Sequence, residues 1–437
     1  MVKAAVKIAV IGFGTVGTGV VKMVQENAEH IYQKTGVWLE LSHVVDTDLK
    51  RERPVKVVGG QVHDDLQKVL ADKEVKIAAE LVGGMTAAAE MHKKLLAAGK
   101  DVVTANKALL AERGGEIFAA ARQYDRCVAF EASCMGGVPV IGAIGTGLAA
   151  NRIKAMYGIV NGTCNYILSG MSGAGKDYDR ALKEAQAAGF AEADPTLDVN
   201  GTDSAHKLAI LSRLAFGREV DFKDIAVQGI DDVQLADIRY GQELGYELKL
   251  LALADQTEKG LSLRVLPAFI RRQEALAQVS GPFNAVSIFA DAAGHTFYYG
   301  RGAGMMPTAS AVVADIIEVA LGNAGRDFAA RAGFGREAQP ATMRSGEETT
   351  SQFYLRLSSV DRPGVLARIL GVLGEKKISV SGCLQRASRS GEYVPVVITT
   401  YQVRQGDMQE AVEELARLEA VQSEPVCIPV AALPSDD

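Results

Sequence analysis

Val6–Gly19, read as V6-K-I-A-V-I-G12-F-G14-T-V-G17-T-G19, decides the fold. A short apolar, β-branched run ends at Ile11. The pattern G-x-G-x-x-G follows at Gly12, Phe13, Gly14, Thr15, Val16 and Gly17, and then TGVVKMVQENAEHIYQK with helical periodicity. Strand, glycine turn and helix in this order suit a pyrophosphate held by backbone N–H groups at a helix N-terminus. Gly12 permits the tight turn, Gly14 the close approach of the ligand, and Gly17 the packing of helix on strand. The motif alone is weak; its setting, after a strand and before a long helix, makes it a dinucleotide-binding signal.

Working outward, a second strand over Leu39–Val45 ends at Asp46. An acid there accepts hydrogen bonds from an adenosine ribose 2′-OH, which favours NAD and repels a 2′-phosphate. Arg51 and Arg53 follow closely and offset that charge for NADP, so NAD is preferred only weakly. The alternative is that Asp46 caps a turn over Asp46–Asp48. Further strands are expected over Ile77–Val82 and Asp101–Thr104, the second ending in Thr104-Ala105-Asn106-Lys107. Ligands of open α/β sheets bind at that edge, which makes Lys107 more than a surface lysine. A strand from Cys127 leads into Glu131-Ala132-Ser133-Cys134-Met135-Gly136-Gly137-Val138-Pro139, where glycines and a carboxylate can present oxygens to a cation. Cys134 is open to a second reading as a nucleophile of the aldehyde-dehydrogenase type, but no histidine lies near it in sequence.

The chemistry concentrates in Ala185–Lys207, AQAAGFAEADPTLDVNGTDSAHK. A helix ending at Gly189 is expected before it and a second one from Thr202, with loop between because Pro195 forbids helix at Asp194. Asp203 and Lys207, four apart, share one helix face. Such a pair is usually solvated. Here Glu192, Asp194 and Asp198 crowd the same end, and a lysine held among carboxylates is a proton-transfer candidate.

This stretch resembles the signature of homoserine dehydrogenases at Ala185, Gly189, Phe190, Ala191, Asp194, Pro195, Asp198, Val199, Gly201, Asp203 and Lys207. The segment Asn161-Gly162-Thr163-Cys164-Asn165-Tyr166-Ile167-Leu168 is similar to that family's N-G-T-x-N-Y-I-L run at the substrate cleft. The resemblance covers essentially the whole chain. It implies interconversion of L-homoserine and L-aspartate 4-semialdehyde with NAD(P)H, on the route to threonine and methionine. Lys207 is implied as the acid–base residue, with Lys107 as second lysine near the nicotinamide. Glu192, Asp198 and Asp203 are implied either to bind the substrate ammonium or to fix Lys207. Thr104, Gly189 and Gly304, the last in the loop from Gly300 to Thr308, join the glycine motif and Asp46 in the implied cofactor set. A monovalent cation, sodium, is implied at Glu131 and the carbonyls of Cys134, Gly136 and Val138. Relatives commonly carry valine and glycine where this chain has Cys134 and Met135; carbonyl ligation survives that change.

From Phe353 a βαββαβ pattern with Asp361-Arg362-Pro363-Gly364-Val365-Leu366 resembles an ACT domain, a module that binds small effectors. Backbone N–H groups at Gly364 and Val365 suit a carboxylate, and pathway logic points to threonine. The alternative is a subunit-pairing module without ligand. The expected architecture is therefore α/β: a Rossmann-type nucleotide-binding domain over 1–138, an α+β catalytic and dimerisation domain with an open sheet over 139–308, a helix over 309–321 packing back on the first, a polar, Gly- and Ala-rich linker over 322–350, and the ACT domain over 351–432.

Composition agrees. The chain has 437 residues, 48% hydrophobic and 23% charged, enough for two or three domains. A net charge of −6 gives no support for nucleic acid or an anionic membrane as partner. No segment is apolar over the roughly eighteen residues of a membrane span, and no signal-peptide pattern opens the chain. The five scattered cysteines fit reduced thiols in a cytoplasm, and the six histidines lack zinc-ligand spacing. A homodimer or homotetramer is expected, and the terminal ALPSDD is expected to fray. Two rivals stand beside this reading: an aspartate-semialdehyde dehydrogenase with a cysteine nucleophile, and a non-catalytic amino-acid sensor.

Overall fold

The computed structural model describes residues 5–386 and 391–434; the last part of the terminal segment expected to fray, 435–437, lies outside them. The chain divides into two compact units, the first comprising Met1–Ile153, Asp203–Asp224 and Ala290–Ala341, the second Lys154–Thr202, Ile225–Phe289 and Thr342–Asp437.

The first unit is built on six parallel strands, β1 (Ala5–Ile11), β2 (Trp38–Val45), β3 (Gln61–His63), β4 (Val75–Glu80), β5 (Asp101–Thr104) and β6 (Val128–Ala129), in the order β3-β2-β1-β4-β5-β6. This is the doubly wound dinucleotide-binding order, with its switch point between β1 and β4. Ile8–Ile11, Ile77–Ala79 and Val102–Val103 are buried, as strands covered on both faces require. Register aligns Ile11 with Val45 and Glu80, and Glu80 with Thr104. One sheet edge thus carries the glycine turn, Asp46, Glu80 and Thr104.

The long first helix expected from periodicity breaks at Asn27 into Thr15–Glu26 and Ala28–Thr35. Asn27 leaves helical geometry and caps the first segment through its N–H to Met23 O, a role its side chain favours over the helix interior. Helix Met305–Ala320 crosses Thr15–Glu26 so closely that a Cβ on Gly19 would stand 2.8 Å from Met305 O. The 322–350 stretch does not behave as its composition suggests. Helix Asn323–Ala330 lies within it, and Phe328 and Phe334 bury themselves in an aromatic cluster with Phe118 and Phe130. Two well-placed aromatic anchors outweigh a polar, flexible composition.

At the edge of this sheet, His43 Nδ1 and His63 Nε2 share a hydrogen bond (2.9 Å) and His43 Nε2 pairs with Asp72 Oδ2 (3.1 Å), while buried His63 Nδ1 has no partner among the described residues. Burial first, then His43, depresses the His63 pKa below 6.5. The unfolded state therefore binds a proton more readily. Stability is greatest above about pH 6.5 and declines as pH falls towards the folded value. His63→Gln is expected to flatten that decline, read by urea unfolding on both sides of about pH 6.5; an unchanged slope would remove His63 as its source.

The second unit holds β7 (Ile153–Ile159), β8 (Ala226–Val227), β9 (Tyr246–Thr257), β10 (Gly260–Arg271) and β11 (Phe283–Ala290). After the strand β12 (Gly294–Arg301), whose residues belong to the first unit, come β13 (Thr350–Val360), β14 (Val380–Gln385), β15 (Tyr393–Thr400), β16 (Val403–Arg404) and β17 (Val426–Val430). Within the second unit the order is β11-β7-β9-β10-β17-β13-β15-β14. Antiparallel β9–β10 is its longest ladder. The last strands with helices Val365–Glu375 and Gln405–Ala416 form the βαββαβ module around Phe353, Leu355, Ile369, Leu373, Ile398 and Met408.

Candidate active site

The glycine turn has the geometry its sequence requires. Gly12 takes φ +100° and its N–H donates to Val45 O. A Cβ on Gly17 would meet Gly12 O at 1.9 Å, so this glycine lets the helix close onto the turn itself. Gly14 faces open space, with nothing within 4 Å of a Cβ placed there. Helix Thr15–Glu26 has no side-chain cap, which leaves its first N–H groups open to an anion.

Asp46 does two things at once. Its Oδ1 accepts from Asp48 N (2.8 Å), the turn cap, and its Oδ2 accepts from Phe13 N (2.6 Å), which ties β2 to the glycine turn. Burial opposes its ionisation, but those N–H groups and Arg53 outweigh it and hold the carboxyl below its ordinary value. Arg53 donates from Nε to Phe13 O (2.8 Å), lies 4.7 Å from the Phe13 ring centre and stands 3.4 Å from Asp46 Oδ2. A cation and an anion therefore sit together at the end of β2.

A group that sequence reasoning missed organises the neighbouring edge. Glu80, fully buried at the end of β4, accepts at Oε1 from Val82 N and Gly83 N, and at Oε2 from His92 Nε2–H and Thr104 Oγ–H. Thr104 accepts in turn from Asn106 N, and Asn106 donates to Gly84 O while capping helix Lys107–Gln123 through Leu109 N. Burial raises the Glu80 pKa, yet His92 and the other donors bring the net value below ordinary. An acidic residue closing an otherwise apolar strand was the available signal.

This network delivers Lys107 to the first position of its helix. Lys107 Nζ meets Asp203 Oδ1 at 2.5 Å, and Lys207 Nζ donates to Asp203 Oδ2 at 2.7 Å. Asp203 and Lys207 are buried in helix Thr202–Phe216, whereas the Lys107 side chain is 42% exposed. Burial pushes the Asp203 carboxyl up, but Lys207 and then Lys107 drive it far below its ordinary value, so it stays ionised. One carboxylate thus fixes two lysines. Of the two duties left open by the sequence, holding the lysines is the one this geometry supports for Asp203.

Glu192 and Asp198 belong to the second unit. Glu192 is exposed, and its backbone O accepts from Gln186 Nε2. Asp198 Oδ1 accepts from Asn161 Nδ2 (2.6 Å), whose Oδ1 caps helix Gly162–Ala174. The loop expected between the two helices contains a turn of helix, Thr196–Val199, because Pro195 suits the start of a helix while barring Asp194 from one. Gly189 takes φ +75° after helix Tyr178–Ala187.

In the loop after β6, Met135 and Gly136 have φ +57° and +41°, and a Cβ on Gly136 would meet Gly302 O at 2.7 Å. Gly304 takes φ +127° before helix Met305–Ala320. Cys134 is buried under the helix bearing Lys207, and burial pushes its thiol up to about 12. A thiol so held is not a thiolate near neutral pH, which weakens the nucleophile reading. Glu131 accepts from Ile141 N and Gly142 N, makes no ion pair among the described residues, and is raised by burial above its ordinary value. A part-buried carboxylate and backbone carbonyls are oxygen donors of the kind a hard cation such as sodium takes.

Three family models match the chain: homoserine dehydrogenase, NAD binding domain, over residues 12–131, homoserine dehydrogenase over 139–317, and ACT domain over 353–420. A homoserine dehydrogenase of Pseudomonas aeruginosa is 41% identical over 433 residues, 98% of this chain and 99% of that one. The chain belongs to the homoserine dehydrogenase family. The crystal structure of a homoserine dehydrogenase from Thiobacillus denitrificans superposes with a TM-score of 0.90 at 38% identity, covering 98% of both chains. A hyperthermophilic archaeal homoserine dehydrogenase in complex with NADPH has a TM-score of 0.60 at 26% identity, covering 73% of this chain and 98% of that one. The protein is thus an NAD-binding oxidoreductase of this family with a regulatory ACT domain. No single helix among the described residues is long and apolar enough to cross a membrane.

Proposed function

We propose that the chain interconverts L-homoserine and L-aspartate 4-semialdehyde with NAD(P)(H), using Lys207 as the acid–base group. The observation that carries this reading is the buried carboxylate Asp203 holding Lys207 and Lys107 at 2.7 and 2.5 Å. When bound, the nicotinamide cofactor supplies or accepts the hydride. Gly12–Gly17 and the helix N-terminus after them seat its pyrophosphate; Thr104 and Gly304 shape the loops near its other end, and Gly189 closes the helix before the signature loop. Lys207 gives a proton to the developing alkoxide in reduction and takes it back in oxidation. Asp203 keeps its side chain in one rotamer. Lys107, more exposed, meets the substrate side, and Glu192 and Asp198 supply negative charge for the substrate ammonium. Glu131 with the carbonyls of Cys134, Gly136 and Val138 would hold a sodium ion that stiffens the loop after β6. The enzyme works as a homodimer or homotetramer in the cytoplasm, built as nucleotide domain 1–138, catalytic domain 139–308 and ACT domain 351–432.

Cofactor choice turns on Asp46 and Arg53. Because Asp46 is committed to Phe13 and Asp48 and neutralised by Arg53, the adenosine end tolerates a 2′-phosphate, and both NAD and NADP are expected to support turnover. Threonine is the proposed effector at the ACT loop, where a cavity of about 340 Å³ opens at Gly364–Val365 and helix Val365–Glu375 lacks a side-chain cap. The test is turnover of homoserine with NAD⁺ and separately with NADP⁺, followed by reduced-cofactor absorbance. No turnover with either sinks the reading. Gly364→Val is expected to remove threonine inhibition; an unaltered inhibition curve would move the effector elsewhere.

A further inference from the structure

The second unit contains a cavity of about 250 Å³, lined by charged and apolar side chains, where β7, β9 and β10 meet the start of β13. Register places its charged groups together. Leu253 faces both Tyr157 and Arg264 across the ladders, and Asp255 lies two residues on, so Tyr157, Asp255 and Arg264 project from one sheet face. Arg264 is only 8% exposed. Its Nη1 donates to Thr349 Oγ1 at 3.2 Å, its Nη2 reaches Asp255 Oδ2 only at 3.5 Å, and its Nε has no acceptor among the described residues. Asp255 is engaged more closely by Tyr157, whose hydroxyl donates to Oδ1 at 2.6 Å. Half-buried Arg344 lines the same cavity, and its Nε also lacks an acceptor among the described residues. Among the described residues lining the cavity, two guanidinium groups face one carboxylate, which leaves one positive charge uncompensated. Buried donors without acceptors are costly, and a guanidinium has a planar fork that a carboxylate satisfies with two parallel bonds.

We infer that this cavity is a binding site for a small carboxylate, clamped by Arg264 and Arg344 and separate from the Gly364 loop. Its volume falls below the roughly 300–1,000 Å³ of pockets for drug-sized ligands, so the ligand is a small acid. The charge balance calls for one net negative charge; a zwitterion would instead pair its ammonium with Asp255 and its carboxylate with the arginines, leaving the surplus charge in place. The site also has a mechanical meaning. Arg264 lies on the long β9–β10 ladder, while Thr349, its hydrogen-bond partner, immediately precedes the first strand of the ACT module. A carboxylate seated on Arg264 and Arg344 ties that ladder to the entry of the module.

The test is calorimetric titration of the full-length protein with L-threonine and with 3-hydroxybutyrate, which keeps the carboxylate and hydroxyl but lacks the ammonium. The Gly364→Val variant, which spoils the loop, isolates the cavity. In that background at least one of the two acids is expected to bind, and adding Arg264→Gln or Arg344→Gln is expected to weaken it by about tenfold or more. Arg344→Gln, at the less buried position, keeps the test valid should Arg264→Gln fail to fold. Equal binding of the two acids means that the carboxylate alone is read; threonine alone binding means that Asp255 takes the ammonium. No binding in the Gly364→Val background, unchanged affinity in both arginine variants, or saturation by inorganic phosphate and neither acid would overturn the site. Homoserine turnover, measured alongside, reports separately on the proposed reaction.

Discussion

Lys207→Ala is expected to lower kcat by about two to four orders of magnitude, the range for loss of a positioned acid–base group. The variant removes the one ammonium that is both buried and hydrogen-bonded to Asp203. Asp203 does not become an isolated charge, because its other oxygen still meets Lys107. The helix should therefore fold, and the loss should fall on kcat more than on KM. Lys207→Arg separates chemistry from charge. A guanidinium keeps the positive charge but does not surrender its proton, so this variant should stay slow, whereas a purely electrostatic or structural role would be rescued. Near-normal turnover of Lys207→Ala removes the residue from the mechanism.

Asp237→Ala is expected to destabilise the protein by about 3–5 kcal/mol, the usual result of removing one partner of a buried ion pair. Asp237 is 1% exposed in helix Leu235–Glu243. It accepts from Arg356 Nε at 2.5 Å, from Arg356 Nη2 at 2.9 Å and from the fully buried Tyr354 hydroxyl at 3.0 Å. These are the residues by which β13, the first ACT strand, grips a catalytic-domain helix. Burial and then Asp237 push the Tyr354 hydroxyl well above its ordinary pKa, and the hydrogen bond to Asp237 raises Arg356, so both remain protonated donors. Alanine would leave the Tyr354 hydroxyl without this acceptor and the Arg356 charge unpaired, with Gln234 Oε1 still accepting from Nη2. Urea unfolding gives the number. A double variant, Asp237→Leu with Arg356→Met, should lose less than the single one, because apolar replacement of both partners abolishes the unpaired charge. A loss below about 1 kcal/mol in Asp237→Ala would make the pair equivalent to an exposed one.

What could be read from the sequence was what depends on neighbours in the chain. Strand, glycine turn and helix at Val6–Gly19 are local, and the turn at Gly12 follows from a backbone only glycine adopts easily. The Asp203–Lys207 pair was legible for the same reason, since a helix puts residues four apart on one face. Asp46 shows where this stops. Its turn cap to Asp48 is local and was foreseen as an alternative; its bond to Phe13 N spans two strands and was not. The break at Asn27 and the helical turn after Pro195 were missed because capping competes with periodicity on a scale of about 1 kcal/mol.

By itself the sequence determined the main strands and helices of the nucleotide-binding and ACT modules, the family and the lysine on which the chemistry is proposed to turn. The tertiary structure alone decided that Lys107 shares Asp203 with Lys207, that Glu80 pins Thr104, that Phe328 and Phe334 anchor a stretch composed like a linker, and that Asp237 holds the ACT module's first strand. Each of these is a contact between residues distant in the chain. Local propensity carries no record of such contacts; burial creates them, when the removal of water makes an unpartnered charge or donor too costly to leave alone.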